Sequence, residues 1–134
     1  MTTCSKTYDL TAEQRSLLRD LIVYMIAGCD KEIAQGKTAP FIAKRSYKLD
    51  ILSMLSEGKE VRGMDGILFT LREVAKLCNE VPESLRENYM RTTLWSEKNV
   101  GLVGILTMYS NETIAGLKTV LLGEPVMNST NDFW

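Results

Sequence analysis

Apolar residues recur at helical spacing along most of the chain, and the first such run follows Thr11. The run places five apolar side chains at intervals of four residues: Leu17, Leu21, Met25, Cys29 and Ile33. Such a stripe is typical of a helix that buries one face. Thr11 and Gln14 have the order and spacing of a capping box, so we expect the helix to begin there. Gly28 weakens its middle, which predicts either a bend at that residue or a helix that extends to Gly36.

Two further helices are predicted between Pro40 and Pro82. Pro40 suits the first turn of a helix, and Gly58 suits the position just after its end. Ser46 has the side chain of a helix cap, so this region holds either one helix or two short ones. The third helix is expected to begin with Asp65 as its N-cap and to end at Pro82.

The last apolar segment, Asn99–Leu122, is predicted to be the central helix of the fold. Its apolar residues cover nearly the whole circumference, as expected for a buried helix. Val100–Tyr109 also fits a strand, because valine, isoleucine and tyrosine are found in both states in short runs. Asn111 has the side chain to cap a fresh start after a break, and Gly123 marks the end. A shorter helix is predicted ahead of this segment, over Glu83–Leu94.

Together these patterns predict an all-α protein, a compact bundle of about five helices around Asn99–Leu122. The length of 134 residues is that of one ordinary domain. We expect residues 1–10 to form a flexible N-terminus, residues 11–123 a single helical domain and residues 124–134 a C-terminal tail.

The composition is that of a globular protein without a familiar catalytic centre. Hydrophobic residues make up 45%, charged residues 25%, and the net charge is −1. There is no histidine, which removes the commonest general base and metal ligand. Neither the glycines nor the carboxylates fall into a phosphate-binding or metal-binding motif. We therefore expect no enzyme activity, no cofactor and no metal site, with a carboxylate-based or metal-based enzyme as the remaining enzymatic hypothesis.

The three cysteines indicate a reducing compartment. Their number is odd and their spacing wide, unlike a disulfide framework: Cys4, Cys29 and Cys78. The N-terminus is polar, and the longest apolar-rich run is about half of the roughly 20 residues that a membrane helix needs. These features predict a cytoplasmic protein that does not associate with membranes.

The segment from Lys37 to Lys48 is the main local concentration of positive charge. It carries four basic residues and no acidic residue before the last of them: Lys37, Lys44, Arg45 and Lys48. Phe41 and Tyr47 lie among them, and basic residues interleaved with aromatic ones can bind nucleic acid. The alternative is an ordinary solvated helix face, since the net charge gives no support to nucleic-acid binding.

The tail ends in a second suggestive group, Asp132, Phe133 and Trp134. An aromatic pair beside an acidic residue can anchor the chain in a pocket of a partner. The same side chains can instead fold back onto the core of their own domain, or the tail can be disordered.

By elimination, the sequence predicts a non-catalytic protein–protein interaction protein. It would act as an adaptor, inhibitor or assembly factor, through a surface groove, through the tail, or through both. A homo-oligomer is compatible with this hypothesis. The alternative is a nucleic-acid-binding regulator that uses Lys37–Lys48.

Overall fold

The computed structural model describes residues 6–81, 83, 84, 86 and 101–122. Within these ranges the chain forms five helices and two short strands: β1 (Lys6–Tyr8), α1 (Ala12–Ala34), α2 (Ala39–Ser56), β2 (Val61–Gly63), α3 (Asp65–Glu80), α4 (Leu102–Thr107) and α5 (Asn111–Leu122). The predicted all-α bundle is confirmed. The helix expected over Glu83–Leu94 lies largely outside the described residues.

Helix α1 begins where the sequence predicts and follows the second alternative, a helix that extends to Gly36. The Gln14 amide donates to Thr11 Oγ1 at 3.1 Å, and the Thr11 amide donates to Gln14 Oε1 at 3.0 Å, which completes the capping box. The helix continues through Gly28. Gly36, with φ of 97°, follows its end and donates its N–H to the Ile33 carbonyl at 3.0 Å.

Helix α2 is one continuous helix through Ser46, so the alternative of two short helices is excluded. Pro40 is in its first turn, and Gly58 follows its end with φ of 74°. Helix α3 begins at Asp65 as expected, but its N-cap is Met64. Asp65 is therefore the first helical residue and not the cap.

The segment predicted as one central helix is divided in two. Residues 102–107 are helical, which excludes the strand alternative for them. The chain then turns, and α5 starts at Asn111. Ser110 Oγ accepts the N–H of Thr113 at 3.1 Å, so Ser110 caps this start and Asn111 does not. The first two residues of the predicted range, 99 and 100, lie outside the described residues.

The centre of the bundle is α1 rather than the last segment. It contacts α2, α3, α4 and α5. Four consecutive inward positions have no exposed surface: Leu17, Leu18, Leu21 and Ile22. They pack with apolar residues of α3, α4 and α5, including Leu71, Leu106 and Leu117. The long apolar face after the capping box therefore organises the core.

The two strands tie the N-terminal segment to the bundle. β1 pairs with β2 in antiparallel register, with Lys6 opposite Gly63 and Tyr8 opposite Val61. The Tyr8 ring is buried, and it packs against Gly63, where an added Cβ would lie 3.0 Å from the ring. Strand pairing and ring burial therefore attach residues 6–8, part of the segment predicted as a flexible N-terminus, to the bundle.

No helix in the described ranges is both long and apolar enough to cross a membrane.

Candidate functional site

Helices α1 and α2 form an antiparallel pair with an open groove on its outer side. Arg15 near the start of α1 contacts the carbonyl of Leu55 near the end of α2, while Asp30 near the end of α1 contacts Arg45. The groove between them has a volume of about 670 Å³. It is large enough to hold several side chains of a ligand.

The lining of the groove is largely apolar. Leu52 and Leu55 are half-buried in it, and Val23 and Leu49 lie there with 51% and 41% of their surface exposed. The remaining lining residues outside the arginines are small or carry hydroxyl groups: Ala12, Ser16, Ser53 and Ser56. An exposed apolar cluster of this kind marks a binding surface, because the free energy falls when another molecule covers it and removes it from water.

The charged residues that line the groove, within the described part of the chain, are Arg15 and Arg19. Arg15 Nη2 donates to the carbonyls of Leu55 at 3.2 Å and Met54 at 3.4 Å, so its guanidinium is held in place. The Arg19 side chain is 58% exposed and contacts the adjacent Asp20 at 3.5 Å. Arg19 therefore presents its guanidinium to solvent at the edge of the apolar lining.

A partly buried polar contact joins the α1 wall to the turn between α4 and α5. The Tyr109 hydroxyl, in the turn between α4 and α5, donates to Asp20 Oδ2 at 2.6 Å and lies 2.9 Å from Ser16 Oγ. Burial and the acceptor Asp20 raise the pKa of Tyr109, so the hydroxyl remains protonated. The Asp20 carboxylate is thus shared between Tyr109 and Arg19, and it neutralises Arg19 only in part.

Two of the four predicted basic residues form ion pairs with α1. Lys37 Nζ lies 3.1 Å from Glu32 Oε1, and Arg45 Nε lies 2.7 Å from Asp30 Oδ1. Both pairs are partly exposed and so contribute little to stability. They nevertheless lower the positive charge that this segment presents.

The other two basic residues also contact their own chain. Lys44 Nζ lies 4.9 Å from the centre of the Phe41 ring. Lys48 is only 3% exposed, and its Nζ donates to the carbonyl of Lys44 at 3.3 Å. Burial removes Lys48 from the predicted basic surface. Phe41 is engaged with Lys44, and Tyr47 packs against Gly66 of α3.

The predicted tail group, Asp132, Phe133 and Trp134, lies outside the described residues. Its role in partner binding therefore stays a prediction.

The reactive side chains of the described part of the chain are placed for packing. Cys29 and Cys78 are buried thiols, and burial raises the pKa of Cys78 to about 11. Within residues 6–81, 83, 84, 86 and 101–122, no group of three or more acidic or cysteine residues converges as metal ligands would. A second recess, of about 470 Å³, lies between α3 and α5 beside Arg72, Lys76 and Leu122.

The groove is a feature that the sequence analysis did not place. Val23 lies off the main apolar stripe of α1, and Leu49 lies off the buried face of α2 at Ile51. Apolar residues outside the predicted buried face could have indicated a binding surface in the sequence. Whether such residues form one surface depends on which helix packs beside them. No family model, curated protein or solved structure matches this chain in the comparisons made.

Proposed function

We propose that this is a non-catalytic protein–protein interaction protein of the cytoplasm that binds its partner in the α1–α2 groove. The observation that carries the proposal is the exposure of Val23 and Leu49 beside the half-buried Leu52 and Leu55. Covering apolar surface contributes roughly 25 cal/mol per Å² removed from water. An adaptor, an inhibitor or an assembly factor would each use such a site.

The alternative function, nucleic-acid binding through Lys37–Lys48, has less support. Each of the four cations has a contact within the chain, and Lys48 is buried. A nucleic-acid site needs cations that can replace counterions on phosphates, with binding that weakens steeply as salt increases. Changing both Lys44 and Arg45 to glutamate tests this alternative, since it predicts that salt-dependent DNA or RNA binding is lost.

The protein-binding proposal is tested by placing a photo-crosslinking amino acid at position 49 in the full chain. We expect a specific crosslinked partner from cells, which is then purified. Its affinity for Leu49→Asp should be at least tenfold weaker than for the original protein, because the aspartate would have to be desolvated in the apolar groove.

Phe69→Asp is the matched control for this experiment. Phe69 is an apolar residue with 54% of its surface exposed, but it lies on α3 and outside the groove lining. We expect this variant to bind the partner as the original protein does. A partner that binds the Leu49→Asp variant with unchanged affinity would contradict the proposal.

The tail is proposed as a second contact with the same partner. Changing Phe133 and Trp134 to alanine in the full chain should weaken binding, since aromatic anchors dominate many interfaces. Unchanged affinity would assign the whole interaction to the groove.

A further inference from the structure

We infer that the segment seated in the α1–α2 groove is an amphipathic helix of two to three turns with acidic residues along one edge. This inference rests on the proposed function and specifies the chemistry of the partner. It depends on three properties of the groove, namely its length, its charge and the spacing of its two arginines.

The length of the groove fits a short helix. Its α1 wall runs from Ala12 to Val23, which is about 16 Å of helix, and its α2 wall runs from Leu49 to Ser56, which is about 10 Å. Two to three helical turns cover this distance, and such a segment presents apolar anchors at positions i, i+3 or i+4, and i+7. The apolar lining provides contacts for them along its floor.

The charge of the groove selects an acidic edge. Arg15 and Arg19 are its charged lining residues in the described part of the chain, and both are cations. A guanidinium forms paired hydrogen bonds with a carboxylate, and this geometry favours carboxylates over other polar groups. Arg15 already donates to two carbonyls, whereas Arg19 has one long contact of 3.5 Å with Asp20, a carboxylate that it shares with Tyr109. Arg19 is therefore the main donor, and Arg15 adds to the positive potential.

The spacing of the arginines matches that of acidic residues on a helix. Arg15 and Arg19 are four positions apart on α1, so their side chains emerge on one face about one turn apart. Two acidic residues three or four positions apart on a partner helix have the same separation. A helix lying along the groove can therefore place one carboxylate near each arginine.

The same charges argue against a second copy of this chain in the groove. A twofold dimer brings the same patch of both copies together. It would place Arg15 and Arg19 of both copies in one interface, where the groove lining offers no carboxylate among the described residues and the adjacent Asp20 is already shared with Tyr109. Like charges held together at an interface weaken association.

The test uses two fluorescently labelled helical peptides of 14 residues with the same leucine stripe. One carries glutamates beside the stripe and the other carries lysines, and binding to the full chain is measured by anisotropy. We expect the glutamate peptide to bind at least tenfold more tightly, with an affinity that falls as salt is raised. Arg19→Glu should weaken its binding at least tenfold, and Arg19→Lys should weaken it less.

Two further variants locate the binding. Leu49→Asp should abolish binding of the glutamate peptide. The circular dichroism of this variant should match that of the original protein, which shows that the variant is folded. Arg72→Glu is the charge control, because Arg72 is an exposed arginine of α3 outside the groove lining. It should leave the affinity unchanged.

Four other results would overturn the inference. Equal affinity for both peptides, lost in Leu49→Asp, would keep the groove as the binding site and remove the acidic edge. Binding that survives both Arg19→Glu and Leu49→Asp would locate it elsewhere on the surface. A dimer in sedimentation that Leu49→Asp dissociates would assign the groove to a second copy, and failure of both peptides to bind would reject a helical ligand.

Discussion

The guanidinium of Arg15 on α1 donates a hydrogen bond of 3.2 Å to the carbonyl of Leu55 near the end of α2. It also contacts the carbonyl of Met54 at 3.4 Å. Both carbonyls also accept backbone N–H groups of the turn that follows α2, from Lys59 to Met54 at 3.0 Å and from Gly58 to Leu55 at 3.2 Å, and they lie at the negative end of the α2 dipole. Arg15 therefore stabilises the end of α2 and joins it to the start of α1.

This contact predicts different stability effects for the two arginines of the groove. Arg15→Ala should lower the free energy of unfolding by about 1–2 kcal/mol, because it removes charge-assisted hydrogen bonds to partly buried carbonyls. Arg19→Ala should change it by about 0.5 kcal/mol or less, because the Arg19 side chain is mostly exposed. Urea unfolding of both variants measures the difference, and equal losses would contradict the assigned role of Arg15.

Gly66 and Gly28 form a second matched pair. A Cβ on Gly66 would overlap the ring of Tyr47, whereas a Cβ on Gly28 would meet no atom within 4 Å. We expect Gly66→Ala to lower the free energy of unfolding by about 1–3 kcal/mol, as overpacking does. Gly28→Ala should raise it by about 0.5–1 kcal/mol, because alanine restricts the unfolded chain and favours the helix.

A double-mutant cycle separates the overlap from other effects at Gly66. In a Tyr47→Ala background, Gly66→Ala should no longer be destabilising, because the ring that it meets has been removed. The same loss in both backgrounds would show that the close contact between Gly66 and Tyr47 is not the cause.

Two substitutions of Lys48 test whether its side chain is buried on α2. Methionine has a similar length and needs no hydrogen bond, so Lys48→Met should retain the free energy of unfolding or raise it. Lys48→Glu should lower it by more than about 2 kcal/mol, because it places a carboxylate in the buried site beside the carbonyl of Lys44. Thermal unfolding compares the two. A loss with methionine as large as the loss with glutamate would contradict the buried position.

The buried thiol of Cys78 predicts a loss of stability at alkaline pH. Its pKa is raised from 9.0 to about 11, chiefly by burial. Between these two values the unfolded chain loses the thiol proton while the folded chain keeps it, so the free energy of unfolding falls as pH rises. Below pH 9 both states are protonated, and the contribution is constant.

Cys78→Val isolates this effect, because valine fills a similar volume and does not ionise. The difference in unfolding free energy between the original protein and this variant should be constant below pH 9. Between about pH 9 and pH 11 the unfolding free energy of the original protein should then fall relative to that of the variant. A difference that does not change over this range would show that the Cys78 thiol ionises equally in both states.

Several features of the fold were predictable because they depend on neighbouring residues. The capping box of Thr11 and Gln14 and the turns at Gly36 and Gly58 involve groups within about five positions of each other. The apolar spacing that follows Thr11 likewise predicted the buried face of α1. Local hydrogen bonding and helical periodicity therefore carry the information on where these helices lie.

Features that depend on distant parts of the chain were not predictable in this way. The strand at Lys6–Tyr8 forms because β2, more than 50 positions away, pairs with it. Burial of Lys48 likewise follows from the packing of α2 against the rest of the bundle, since its sequence neighbours are those of a basic surface.

The sequence alone determined the helical class of this protein, the start of α1 and the end of α2, since caps and periodicity act over short distances. Only the tertiary structure decided that Val23 and Leu49 meet at one groove and that Arg15 and Arg19 line it. These residues lie on two helices, and their proximity depends on how α1 and α2 pack. A binding surface of this kind arises from the side chains that helix packing leaves exposed together.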